Sequence, residues 1–233
     1  GVARDVSPAV LFSEKINPAS FKNRVFLYPP VEFDGIKVRG ERIEISFQNP
    51  LPETTMCLLI KSGIEDYHQV KSRENFMLYF ATVDSIARGE ASGVILFKEK
   101  PDSTGVAELF ALRGDTLPNL RTAPRDRVAF AGRDGTFSFR APPTDAPMFL
   151  LRAFSDRDAD GRYSEGKEFS ALWPDTIALG PLRGRIDEIR INIIDPNEPG
   201  SIEGTVASDS GTGVAATIRL APAKPGEKPI VSR

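Results

Sequence analysis

Cysteine and histidine are almost missing from this chain, with one of each among 233 residues. A single Cys57 excludes an internal disulfide. It sits in the apolar stretch Met56–Ile60, where a small buried hydrophobe is expected rather than a reactive thiol. A lone His68 in a polar turn argues against a histidine-based zinc site. No GxSxG or comparable nucleophile motif accompanies it, so no catalytic triad is expected. An excess of one charge is missing too: 30 Lys and Arg face 32 Asp and Glu, a net charge of −2. No basic stripe with interleaved aromatics appears, so no nucleic-acid partner is expected. No apolar run approaches the length that spans a bilayer. No secretory signal is visible, and the chain starts at Gly1 without a methionine, as a processed form would.

Turn formers are plentiful. The 19 prolines and 19 glycines punctuate short apolar runs, the pattern of an all-β protein with many short strands. With 40% apolar and 27% charged residues, the composition is that of a soluble globular protein. Over residues 5–88 strands are expected at Ala9–Phe12, Val25–Tyr28, Ile36–Val38, Ile43–Phe47, Thr54–Ile60 and Phe76–Thr82. Asn17-Pro18, Pro29-Pro30 and Asn49–Pro52 separate them. That density of strands is the arithmetic of a β-sandwich. Phe76, Tyr79 and Phe80 are expected in its core. Over residues 89–195 strands are expected at Val94–Phe97, Ala107–Leu112, Thr136–Arg140, Met148–Phe154 and Ile186–Ile194. Gly132–Gly135 reads as a β-turn, not a phosphate loop. Leu117–Arg127 reads as a projecting, solvated loop carrying Arg121, Arg125 and Arg127, with Arg113 just before it; docking of these arginines onto an acidic partner is the alternative. Residues 196–233 open with a Pro-rich linker. Glu203–Val206 and Thr212–Leu220 then echo Ser92–Val94 and Thr104–Leu112. This reads as the first strands of a third sandwich, whose unpaired edges need a continuation or a neighbour.

The run Asp156-Arg157-Asp158-Ala159-Asp160-Gly161 places carboxylates at alternate positions before a glycine. Ca²⁺ wants 6–8 oxygen ligands and a sharp turn at that glycine. Counted as an EF-hand loop, the ligands fall on Asp156, Asp158, Asp160, the carbonyl of Arg162, and Ser164. The twelfth position is Lys167, which cannot ligate a cation, so Glu165 or Glu168 would close the site. The preceding Met148–Phe154 reads as a strand, not a helix. The expectation is therefore a calcium staple between strands, with a plain Asp-rich turn as the alternative. The acids are too dense for the paired carboxylates of a glycosidase.

Three segments, "SPAVLFSEKINPASF" from Ser7, "IEISFQNPLPETTMCLLI" from Ile43 and "SGIEDYHQVKSRENFMLYFATVDS" from Ser62, resemble the bacterial S-layer-type Ig-like domain. The chain departs from that pattern at His68-Gln69 and Met56. "DGTFSF" from Asp134 and "PMFLLRAFSDRDADGRYSEGKE" from Pro147 resemble the transthyretin-like, or carboxypeptidase-regulatory-like, β-sandwich. In such modules a D-x-D-x-D-G stretch follows the strand, matching Asp156, Asp158, Asp160 and downstream Glu168. The resemblance implies tandem β-sandwiches at 5–88 and 89–195, with a partial third at 196–233. It implies a non-enzymatic extracytoplasmic scaffold or accessory subunit, periplasmic or surface-attached. Its partners would be other proteins of an envelope or membrane-associated complex. The competing expectation is a carbohydrate-binding or adhesion module of a secreted protein, with Trp173 as its platform.

Overall fold

The computed structural model describes residues 1–21, 23–114, 117–179, 184–195 and 197, and the backbone of 218–220 and 230–232. The chain divides into two compact units, Gly1–Asp195 and Pro196–Arg233. The fold is all-β, built as tandem β-sandwiches.

The first sandwich holds β1 (Ala9–Leu11), β2 (Val25–Tyr28), β3 (Phe33–Arg39), β4 (Arg42–Phe47), β5 (Thr55–Ile60) and β6 (Phe76–Ala81). They pair as two sheets, β1-β4-β3 and β2-β5-β6. Period-two alternation over β4 sends Ile43 and Ile45 into the core between the sheets. The second sandwich holds β7 (Glu90–Phe97), β8 (Lys100–Pro101), β9 (Gly105–Ala111), β10 (Arg127–Phe130), β11 (Thr136–Arg140), β12 (Met148–Ser155), β13 (Ser170–Leu172), β14 (Ile177–Ala178) and β15 (Arg185–Ile193). One sheet runs β10-β9-β12-β13 with β14 on β12, the other β11-β7-β15 with β8 on β7. β15 lies parallel to β7 with a bulge between Ile186 and Ile189. There the strands come so close that a Cβ on Gly93 would lie 2.0 Å from the Ile189 carbonyl oxygen. Only glycine fits that crossing. In the unit Pro196–Arg233, β16 (Ile218–Leu220) pairs antiparallel with β17 (Ile230–Ser232). The remainder of the expected third sandwich lies outside the described residues.

Strand β5 is buried along its whole length because it has an interior on each face. Met56, Leu58 and Ile60 point into the first core. Cys57 and Leu59 point the other way and join Tyr28, Val106, Val128 and Phe154 in a separate apolar cluster. That cluster joins the β2-β5-β6 sheet to the β10-β9-β12-β13 sheet, so the four sheets of residues 1–195 stack as layers. Cys57 is a buried thiol, and burial raises its pKa.

The junction is fastened by a residue expected in solvent. Arg127 begins β10 and is 2% exposed. Its Nη1 donates to Tyr28 O at 2.9 Å and Asp126 O at 2.7 Å. Its Nη2 donates to Thr55 O at 2.8 Å, and its Nε to Ala141 O at 3.1 Å. Tyr28 and Thr55 belong to the first sandwich. Carbonyl dipoles from both sandwiches thus surround one guanidinium, whose planar fork of donors suits them. Burial pulls its pKa down to about 10, and it stays charged at neutral pH.

The expected solvated arginine loop holds for Arg121, which is exposed, and is corrected for Arg113, Arg125 and Arg127. Arg113 pairs with Asp126 at 2.6 Å and with Asp145 at 2.6 Å. Arg125 reaches the fully buried Glu108 at 3.1 Å. These arginines meet carboxylates from β9 and from later turns, partners no local pattern announces. The aromatic trio is also divided: Phe80 packs on the first core and Tyr79 on the junction, while Phe76 is 44% exposed.

Candidate metal centre

β12 delivers the acidic loop from the junction face of the second sandwich. Its last residues, Phe154 and Ser155, are buried, and Asp156 follows with its backbone N–H donating to Thr104 O at 3.0 Å. The chain then curls: Ala159 has φ +59° and Gly161 φ +75°. A Cβ on Gly161 would lie 3.1 Å from the Phe130 ring. Positive φ and that close approach together explain the glycine.

The curl turns oxygens inward. Asp156 Oδ2 accepts from Gly161 N–H at 2.9 Å. Asp158 Oδ1 accepts from Asp160 N–H at 3.2 Å. Glu168 closes the loop, with Oε1 accepting from Arg157 N–H at 2.9 Å and Oε2 from Ser164 N–H at 2.8 Å. Carboxylate oxygens of Asp156, Asp158 and Glu168 all come within 4.8 Å of one another. Asp156 and Glu168 are buried, and Asp158 is exposed at the mouth.

The remaining expected ligands are placed differently. Asp160 is exposed and its Oδ1 accepts from Arg162 N–H at 2.6 Å. Glu165 is exposed and pairs with Arg121. Arg162 is exposed on the same turn. Of the two candidates for closing the loop, Glu168 is the one beside Asp156.

One atom distinguishes this cluster. Asp156 Oδ1 is buried and has no hydrogen-bond partner. A buried carboxylate oxygen without a partner is costly. Burial accordingly pushes the Asp156 carboxyl above its ordinary range, opposed by the Gly161 N–H and by Lys61. A hard cation held by Asp156, Asp158 and Glu168 would supply the missing partner, and carbonyls or water would complete its shell. Calcium fits this donor set, which is all oxygen.

Residues outside the acidic run also shape the site. Lys61, directly after β5, lies over the Phe130 ring at 4.5 Å from its centroid. Its Nζ donates to Ala159 O at 2.9 Å and stands 4.0 Å from Asp156 Oδ2. Arg125 donates to Gly161 O at 2.6 Å. Sequence reasoning missed both, because a lysine ending an apolar strand and an arginine in a loop carry no local mark of this role. Trp173 is half-buried and packs on the second core, which takes up part of the ring a sugar would need.

A second group, Glu14, Asp66 and His68, lies in the first sandwich. Asp66 Oδ1 accepts from the N–H groups of His68 and Val70, each at 2.8 Å. The His68 ring stands 3.8 Å from both Glu14 and Asp66.

A groove of about 1190 Å³ opens beside the acidic loop. β2 and β3 flank it; among the described residues β2 pairs only with β5 and β3 only with β4. Phe26, Phe33, Ile36 and Val38 line it, and Lys61 and Asp158 lie among the residues of its wall.

No family model matches the chain, and no curated protein matches it. Among solved structures it is similar to BcpA, the major pilin subunit of Bacillus cereus, at 9% identity and a TM-score of 0.28, over 75% of this chain and 57% of that one. An Asp-to-Ala variant of the same subunit matches at 7% identity and a TM-score of 0.27, over 82% and 58%. The chain spans under two thirds of the length of those subunits. Likeness at that level assigns no partner or assembly to this chain.

Proposed function

We propose that this protein is a non-enzymatic, extracytoplasmic structural subunit that docks on a larger envelope or membrane assembly, with calcium held in the Asp156 loop. The observation that carries the docking part is the groove. Two strand edges, each without a further strand partner among the described residues, flank an apolar floor, which suits an extended strand from a protein partner. The stacked layers support the structural part, because the Arg127 junction holds the groove and the acidic loop in one frame. Calcium outside the cytosol is abundant enough to fill even a weak extracellular-type site. No helix among the described residues is long and apolar enough to cross a membrane.

The test places a benzophenone amino acid at Val38, on the groove wall, and irradiates the protein in native envelopes. A discrete protein adduct, suppressed by excess unlabelled protein, is the expected result. Absence of any adduct, with monomer behaviour at every concentration, would overturn the docking role.

A further inference from the structure

We infer that Lys61 is a built-in cation that competes with the metal of the Asp156 loop, so that calcium occupancy and the hold of the first sandwich on that loop oppose each other. This rests on the calcium reading above and adds its regulation.

Lys61 is anchored in the first sandwich, where its backbone N–H donates to Arg24 O at 2.8 Å. Its side chain crosses the junction over Phe130 and is 13% exposed. The ammonium ends at the loop, bonded to Ala159 O and 4.0 Å from Asp156 Oδ2. The charged groups around it are Asp156, Asp158 and Asp160 on the loop, and Arg24 on its own side. Without metal, this ammonium is the nearest counter-charge to a loop of convergent carboxylates. A divalent ion among Asp156, Asp158 and Glu168 would stand a few ångströms from it. Like charges at that range repel strongly where burial limits screening. The ion neutralises the acids that attract Lys61, and Lys61 in turn weakens the hold on the ion. By linkage the two effects are equal: whatever factor Lys61 takes from calcium affinity, calcium takes from the Lys61–loop contact. Lys61 and Asp158 also line the groove, so the exchange changes the charge at one end of the docking surface.

The test is calorimetric titration of the full chain with CaCl₂. Lys61→Gln keeps a donor on a side chain one bond shorter but carries no charge. It should bind calcium at least about tenfold more tightly than the parent chain. Lys61→Arg keeps the charge and should stay close to the parent. Lys61→Met removes charge and tether together, and checks the result should Lys61→Gln fold poorly. Unchanged or weaker binding in the neutral variants, while the parent binds, would overturn this inference and leave the calcium reading standing. No calcium binding in any variant would overturn both.

Discussion

Two acidic clusters among the described residues, Glu14-Asp66-His68 and Asp156-Asp158-Glu168, look alike in composition and differ in one respect. In the first sandwich Asp66 spends its buried oxygen on two backbone N–H groups and faces the His68 ring. Its carboxyl, held below the ordinary range mainly by the Val70 N–H, is the tie of a tight turn. In the second sandwich Asp156 is buried with Oδ1 unpartnered, and burial raises its carboxyl. The count of acids says little about a metal; an unsatisfied buried oxygen says more. One cluster is complete within the protein, and the other lacks a partner.

Removing the closing residue should have the largest effect. Glu168→Ala leaves the N–H groups of Arg157 and Ser164 without their acceptor. A loss of about 3 kcal/mol is expected by urea unfolding, together with the calcium response. A calcium response that survives would move the ion out of this loop.

Calcium itself comes next. At a hundred times its dissociation constant the ion should add about 2.7 kcal/mol. That raises the melting temperature by roughly 5–10 °C, and EDTA should reverse it without unfolding the chain. Asp66→Ala should melt lower yet keep the whole calcium response. A response lost in Asp66→Ala but kept in Asp156→Asn would exchange the roles of the two clusters.

A smaller difference separates the two by sign. Measured in EDTA, Asp156→Asn should be as stable as the parent or gain about 1 kcal/mol, because a poorly paired buried charge is gone. The Asp156 carboxyl has its pKa raised on folding, so its ionisation weakens the fold at neutral pH. That penalty fades as pH falls through the raised value toward the unfolded 3.8. Asp66 behaves oppositely. Its pKa is lowered on folding, so its contribution is complete above 3.8 and is lost as pH falls below it. The stability gap between parent and Asp156→Asn should therefore close before that between parent and Asp66→Asn. The reverse order in acid titration would sink the assignment.

Arg121→Ala should do least. Its pair with Glu165 is exposed on both sides, and a change under about 0.5 kcal/mol is expected. A calcium affinity raised in that variant would recruit Glu165 to the ligand set.

The strands of both sandwiches were largely legible. β4 alternates apolar and polar residues, and β12 is a short apolar run ahead of an Asp-Gly turn. The acidic loop was legible because its carboxylates come from one short segment. β10 was missed, since Arg127 reads as the end of a polar loop until Tyr28, Thr55 and Ala141 supply carbonyls to bury it. Glu165 and Glu168 could not be separated by spacing; the return toward β13 turns one inward and the other toward Arg121. Lys61 was invisible, since its partner Ala159 lies 98 residues away in sequence.

The sequence by itself determined the all-β class, the short strands and the acidic turn, because periodicity, turn residues and neighbouring carboxylates act over a few residues. Tertiary structure alone decided that β5 has two interiors, that Arg127 bonds carbonyls from both sandwiches, and that a lysine of one sandwich stands at the acidic loop of the other. Those outcomes depend on which sheet faces which. Burial, pairing and charge compensation at a junction are properties of two surfaces together, and neither surface's own sequence contains them.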